Sequence, residues 1–407
     1  MAVTGLAAAT PATAVPAAPA APAAGQAPVW VKLAPGVRYR QFGIAASKGP
    51  ARAHLLSVDL RNPRVSLGLL HPGAVGARAS VSSLADGRGA VGAVNGDFFN
   101  ISETQHPGVE ATGAPVGPVI ADGVQLKAAV PNGQRFGPAL PPGTSTRDVL
   151  GVDDEGRARL GRLALDGAVL TPQGKLPLGG LNQYALPVGS VGTFTSDWGV
   201  VSRLRATCGT DTDRAAPCST DTYEVTVRDG RVVEVAAAPG RGAIARGSEV
   251  LVGREAGAAA LRKLSVGDRV TVRHRLVESR SRAAYRFALG GFPVLRSGAP
   301  LPGLDDATAA VRTAAGIADG GARLLLLVLD GAPEFRTGLT VAEVAEVMRD
   351  AGAVDAFGLD GGGSSTLVAR EPGASAVTVR NHPSGGSERP VPNGIGVFSR
   401  VPEVAGG

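Results

Sequence analysis

The residues of this chain best suited to chemistry lie in one short stretch, Asp360-Gly361-Gly362-Gly363-Ser364-Ser365. Three glycines without side chains let backbone N–H groups approach an anion, and Ser364 and Ser365 add hydroxyl donors. With Asp360 at its head, the stretch predicts a carboxylate beside a cradle for phosphate or a developing oxyanion. It is not a Walker A loop, because no lysine follows the glycines. Nor is it a nucleophile elbow, because Thr366 takes the place of the last glycine in G-x-S-x-G. An ordinary tight turn between strands is the plainer alternative.

A second stretch, Asn95-Gly96-Asp97-Phe98-Phe99-Asn100, sets a carboxylate between two amides with aromatics beside it. Carbohydrate sites combine these groups; an Asn-Gly turn before a core Phe pair would read the same way. Arg312 is a lone cation in an apolar run and needs an anionic partner, either a substrate phosphate or a carboxylate such as Asp330 or Asp360. Glu388-Arg389-Pro390 and Asn393-Gly394 form a polar cluster before the strand expected at 395–398. His54, His71, His106, His274 and His382 show no metal-ligand spacing, and each alone reads as a surface or structural residue. No cofactor is required; a structural divalent cation is compatible with these residues but indicated by none.

The elements that must position these groups can be read from patterning. Strand-like runs occupy 37–45, 53–60 and 65–70, with a short element at 80–86 and a small-residue strand at 90–94. The run Tyr223 to Val235 reads as a hairpin turning at Asp229-Gly230, and 264–272 as a turn and strand. Residues 324–329 form a continuous aliphatic run, as for a strand buried on both faces, ending at Asp330. Thr340-Val341-Ala342-Glu343 is a capping box with Leu339 and Val344 as its hydrophobic staple. The apolar stripe Leu339, Val344, Val347, Met348, Ala351 and the stop at Gly352 define a helix. A strand at 354–359 then ends at Asp360. Strand, helix, strand predicts a right-handed crossover that sets Asp330 and Asp360 at the carboxyl ends of neighbouring strands, the edge where open α/β sheets bind ligands.

The fold class expected is α/β (α+β): a mixed-sheet core with a C-terminal strand-helix-strand unit and a β-rich middle subdomain. The parts expected are a disordered Ala/Pro-rich segment at 1–28, an N-terminal part of the core at 29–100, a β-rich insertion at 101–290 and a C-terminal part at 291–400. Composition agrees: of 407 residues 44% are hydrophobic but 4% aromatic, with 58 glycines and 30 prolines, which favours short strands and turns. The net charge of +6 is spread thinly, without the clustered basic face of a nucleic-acid binder. No apolar run is long enough for a membrane span. Cys208 and Cys218 lie in a polar, turn-rich stretch that suits a disulfide in an oxidising compartment. The uncharged start resembles the end of a signal peptide plus linker, without a basic n-region. Export is the expectation.

Taken in order, Val94-Asn95-Gly96-Asp97-Phe98-Phe99, Gly290-Gly291-Phe292-Pro293-Val294-Leu295, Arg312-Thr313-Ala314-Ala315-Gly316-Ile317, Leu329-Asp330-Gly331, Leu359-Asp360-Gly361-Gly362-Gly363-Ser364-Ser365 and Glu388-Arg389-Pro390-Val391-Pro392-Asn393-Gly394 resemble the phosphodiester glycosidase family. The chain departs from the family at Asp97, where glycine is more usual; its low-complexity start and cysteine loop look like those of secreted actinobacterial members. The resemblance implies hydrolysis between a sugar anomeric carbon and a phosphodiester oxygen, with a cell-wall or other extracellular glycan as partner. It implies Asp360 as principal carboxylate, with Asp330 as its base or orienter and Glu388 grouped with them. Arg312 and Gly361, Gly362, Gly363, Ser364 and Ser365 would bind the phosphate, and Asn95, Asp97 and Asn393 would contact the sugar or orient the carboxylates. A non-catalytic glycan-binding protein and a phosphodiesterase attacking phosphorus are the alternatives.

Overall fold

The computed structural model describes residues 29–400 apart from 280 and 282, so the Ala/Pro-rich segment 1–28 lies outside the described residues. The fold is strand-rich α+β, built on three sheets. The first runs in the order Val31–Ala34, Val37–Ala46, Gly49–Asp59, Arg323–Leu329, Thr313–Ala318, Asp355–Leu359, Phe292–Arg296, Ala299–Pro300. Strands from 119 to 290 form the second sheet. Among them Gly174–Leu181 and Val191–Phe194 are parallel, while the other pairings in this sheet are antiparallel. The third sheet has the order Thr378–Val379, Leu367–Ala369, Gly92–Asn95, Gly394–Ser399, Val65–Leu70.

Local chemistry explains the elements. Thr222–Arg228 and Arg231–Ala236 are joined by Asp229 and Gly230, both at positive φ (49° and 73°), the geometry of a two-residue hairpin turn. The helix Val341–Asp350 carries its capping box on Thr340 and Glu343, buries Val344, Ala345 and Met348, and gives way at Gly352, where φ is 96°. A shorter helix, Val81–Arg88, starts at Ser80, whose hydroxyl accepts from the Ser83 N–H.

One expectation is corrected. Arg323–Leu329 and Asp355–Leu359 are not neighbours, because Thr313–Ala318 runs antiparallel between them, with Thr313 opposite both Val328 and Leu359. Asp330 and Asp360 therefore leave the same sheet edge two strand spacings apart, roughly 10 Å between strand axes. Arg312 sits at that edge as well, just before the intervening strand begins.

Cys208 and Cys218 form a disulfide with an S–S length of 2.02 Å. Loop closure over ten residues predicts that Cys208→Ser/Cys218→Ser loses about 2–3 kcal/mol of stability, measured by chemical denaturation with and without reductant.

Candidate active site

The loop carrying Asp360 is the passage between two sheets. It leaves Asp355–Leu359 in the first and enters Leu367–Ala369 in the third, which pairs with Gly92–Asn95. That pairing brings the two motif stretches, far apart in sequence, into contact. Asn95 is fully buried and joins them: its Nδ2 donates to the Asp360 carbonyl (2.7 Å), while its Oδ1 accepts from the Thr313 hydroxyl (2.9 Å) and the Thr366 N–H (3.1 Å). Asn393 reaches the same strand end, its Oδ1 accepting from the Asp97 N–H at 2.9 Å. Gly96 is required there, because a Cβ would lie 2.2 Å from Asn393 Oδ1.

Asp360 is recessed but partly exposed at the head of its loop. Burial pushes its carboxyl up to about 6, against opposing pulls from the Ser364 hydroxyl, the Arg389 guanidinium, the Gly361 N–H and Arg135. The Gly361 N–H donates to Asp360 Oδ1 at 2.9 Å. Asp97 is almost completely buried. Burial also pushes its carboxyl up, opposed by the Gly117 N–H (2.6 Å to Oδ2), Lys127 and Arg135 and reinforced by Asp360. Its Oδ1 has no hydrogen-bond partner among the described residues. Lys127 is buried as well, with Nζ donating to the carbonyls of Val116 (3.1 Å), Gly117 (3.0 Å) and Ala128 (2.6 Å); burial lowers its proton affinity while Asp97 raises it. Two carboxyls with raised proton affinity thus share one site with three cations, Lys127, Arg135 and Arg389.

The glycine loop differs from an open amide cradle. The N–H of Gly361 serves Asp360, that of Gly362 serves the Val311 carbonyl (2.7 Å), and those of Ser364 and Ser365 close a 3₁₀ turn on Gly361 and Gly362 (both 3.1 Å). Four of the five loop amides are already spent, which leaves side chains as the groups able to meet an anion. Arg389 is placed to do so: its Nη1 donates to Ser364 Oγ at 3.2 Å, and its guanidinium packs against Gly363, where a Cβ would come within 2.4 Å of Nη2. We expect Gly363→Ala to push this guanidinium aside and raise KM for an anionic substrate about tenfold, with kcat changed little. Steady-state kinetics measure this.

Arg135 is the second cation. Burial lowers its proton affinity, and Asp97 and Asp360 partly restore it. Its guanidinium lies 5.2 Å from the Phe98 ring centre and 5.7 Å from that of Phe292. It also borders a shallow surface depression of about 570 Å³. A larger cleft of about 710 Å³ lies among Asn132, Arg147, Arg162 and their neighbours and includes none of the carboxylates above.

The other expected residues lie elsewhere. Asp330 is sealed from solvent beneath two histidines. Burial alone would raise it, but the hydrogen bonds from His54, the Ala332 N–H and His382 together hold it far below the ordinary carboxylate range. Glu388 is spent on the short helix, accepting from the Ser82 N–H (3.0 Å) and the Ser82 hydroxyl. Arg312 forms neither of the ion pairs considered for it; its Nε and Nη2 donate to the carbonyls of Leu339 (3.1 Å) and Thr308 (2.7 Å). Ser365 Oγ lies 3.1 Å from the Thr313 hydroxyl inside the core. Arg135, Lys127 and Arg389 were not singled out by sequence reasoning. Arg389 stands in the motif Glu388-Arg389-Pro390, directly beside the expected Glu388. The two others had no signal beyond charge in the middle stretch.

A loop-borne carboxylate at a junction of sheets, with cations around it, is an arrangement able to hold an anionic, hydrogen-bonding group. Residues 221–398 match the phosphodiester glycosidase family. A comparison with curated proteins gives no match. Among solved structures, the fold is shared with a hypothetical protein from Synechocystis, at 21% identity and TM-score 0.69 over 93% of this chain; this chain spans 64% of that one's length. A protein from Burkholderia pseudomallei K96243 described as exported aligns at 25% identity and TM-score 0.64, covering 87% of this chain and 75% of that one. The zebrafish N-acetylglucosamine-1-phosphodiester alpha-N-acetylglucosaminidase catalytic domain, auto-inhibited by its pro-peptide, aligns at 16% identity and TM-score 0.44 over 90% of this chain and 84% of that one.

Proposed function

We propose that this chain is a secreted hydrolase that cleaves the glycosidic bond of a sugar-1-phosphodiester, acting on an extracellular or cell-wall glycan. The observation that carries the reading is the pairing of Asp360, raised to about 6 and accessible from solvent, with a guanidinium packed against the adjoining Gly363. Arg389 and Arg135 hold the phosphodiester. A leaving phosphate is a stable anion and needs little protonation, so the demand falls on the sugar, which develops oxocarbenium character. Asp360, ionised above about pH 6, stabilises that charge. Asn95 and Asn393 fix the backbone that carries the two carboxyls: Asn95 grips the Asp360 carbonyl and Asn393 accepts from the Asp97 N–H. The disulfide and the likeness to a protein described as exported support the extracellular setting.

The test is turnover of a panel of sugar-1-phosphodiesters in ¹⁸O-labelled water. Label in the sugar supports the glycosidase. Label in phosphate transfers the site to a phosphodiesterase, and saturable binding without turnover to a glycan-binding protein.

A further inference from the structure

The proposed hydrolysis needs a group that takes a proton from water, and the carboxyls around Asp360 are poorly placed to do so. Asp97 is buried, and Asp360 faces the developing cation. The same sheet edge carries a second cluster that the mechanism above leaves unused. The Tyr39 hydroxyl meets His54 Nδ1 at 2.8 Å, His54 Nε2 meets Asp330 Oδ2 at 3.1 Å, and the other face of that carboxylate meets His382 Nδ1, 3.1 Å from each oxygen. His54 is buried with both ring nitrogens engaged. His382 differs: its side chain is 70% exposed, and Nε2 has no partner among the described residues.

The position of His382 is fixed from both sides. Its carbonyl accepts from the Gly331 N–H at 2.8 Å, next to Asp330. Asn381, the residue before it, donates from Nδ2 to the Ser365 carbonyl at 2.9 Å and accepts at Oδ1 from the Leu367 N–H at 2.9 Å. The Ser384 hydroxyl lies 3.5 Å from the Gly362 carbonyl. Residues 381–384 therefore bridge the end of Arg323–Leu329 and the glycine loop, which sets His382 between Asp330 and the loop that carries Asp360. The charged and titratable groups around the cluster are Asp330, His54, Tyr39, Arg52 and Arg380. Because Asp330 stays ionised, it keeps a proton on Nδ1 and leaves the Nε2 lone pair pointing outward, as the carboxylate of a hydrolytic triad does.

We propose that His382 is the general base of this site, with Asp330 as the residue that positions it and His54 and Tyr39 anchoring Asp330. The inference rests on the hydrolase reading above. Nε2 accepts a proton from water as the water oxygen bonds to the anomeric carbon. The bond from that carbon to the phosphate oxygen breaks with its electron pair on oxygen, releasing a phosphomonoester anion and the free sugar.

General-base assistance is worth roughly 10²–10⁴-fold. His382→Ala should lower kcat on the sugar-1-phosphodiester about a hundredfold or more, leave KM within about threefold, and recover in proportion to added imidazole. Asp330→Asn, if folded by circular dichroism, should lower kcat and shift its pH profile, whereas a packing role alone would leave that profile unmoved. Nitrogen-15 NMR of the wild type should show the Nδ1–H tautomer of His382 at neutral and higher pH. Full activity of His382→Ala, failure of imidazole to rescue it, or an Nε2–H tautomer would each overturn the assignment while leaving the hydrolase reading intact. A wild-type protein inert on the whole panel would overturn both.

Discussion

Asp360→Asn is expected to fold, to lose about 10³-fold in turnover on a sugar-1-phosphodiester, and to become more stable than the parent at pH 8. The activity loss follows from removing the charge that faces the developing oxocarbenium. The stability gain follows from linkage. The Asp360 carboxyl binds its proton more tightly in the folded chain, at about 6, than its ordinary 3.8. Its contribution to stability is therefore fully present below about pH 4 and lost as pH rises through 6. Two units correspond to about 3 kcal/mol at full burial; partial exposure reduces this to roughly 1–2 kcal/mol. The asparagine carries no charge and keeps an acceptor for the Gly361 N–H, so it avoids the loss. Denaturant titrations of both proteins at pH 4 and pH 8, with kinetics, check the claim. An active variant, or one less stable than the parent at pH 8, would remove Asp360 from its assigned role.

The second large effect concerns residues far from the carboxylates. Arg205 and Glu103 are both buried and ion-paired through Nε. Glu103 also accepts from His106 Nδ1 (2.7 Å), and Arg205 Nη2 donates to Gln134 Oε1 (2.9 Å). Removing one member of a buried pair leaves the other charge uncompensated and costs about 3–5 kcal/mol. Arg205→Ala should lose that much, and Glu103→Leu/Arg205→Met should recover a large part of it. The catalytic consequence runs through Gln134, whose carbonyl also accepts from the Tyr184 hydroxyl at 2.7 Å. Arg135 follows Gln134 directly, so loosening Gln134 should raise KM severalfold at temperatures where the variant remains folded. Denaturation curves and kinetics on one preparation separate the two effects.

Much of the fold could be read from local rules because those rules act within a few residues. Asp229-Gly230 supplies two positive φ angles, Thr340 and Glu343 cap a helix between themselves, and the aliphatic run before Asp330 can only be a buried strand. Asp360 was legible for the same reason, since its glycines and serines are contiguous. What escaped was set by long-range pairing. His54 meets Asp330 across 276 residues, and nothing near either one announces the other. The insertion of Thr313–Ala318 between the two parallel strands is a choice of sheet order, which hydrophobic periodicity does not encode. Arg135 and Lys127 are charges in a turn-rich stretch, and only tertiary burial distinguishes them from solvated neighbours. The glycine loop failed differently: its amides could bind an anion by composition, but the 3₁₀ turn had already used them.

The strand Gly394–Ser399 lies inside the third sheet, between Val65–Leu70 and Gly92–Asn95. On the ribosome it emerges long after Val65–Leu70 and Gly92–Asn95, and those two strands have no partner between them until it does. A nascent chain stopped short of Asn393 would lack the contact that holds Asp97 and would present two unpaired strand edges. Closure of this sheet accordingly awaits synthesis of residues 394–399, and nonsense truncations close to residue 390 should yield aggregates with no partial activity.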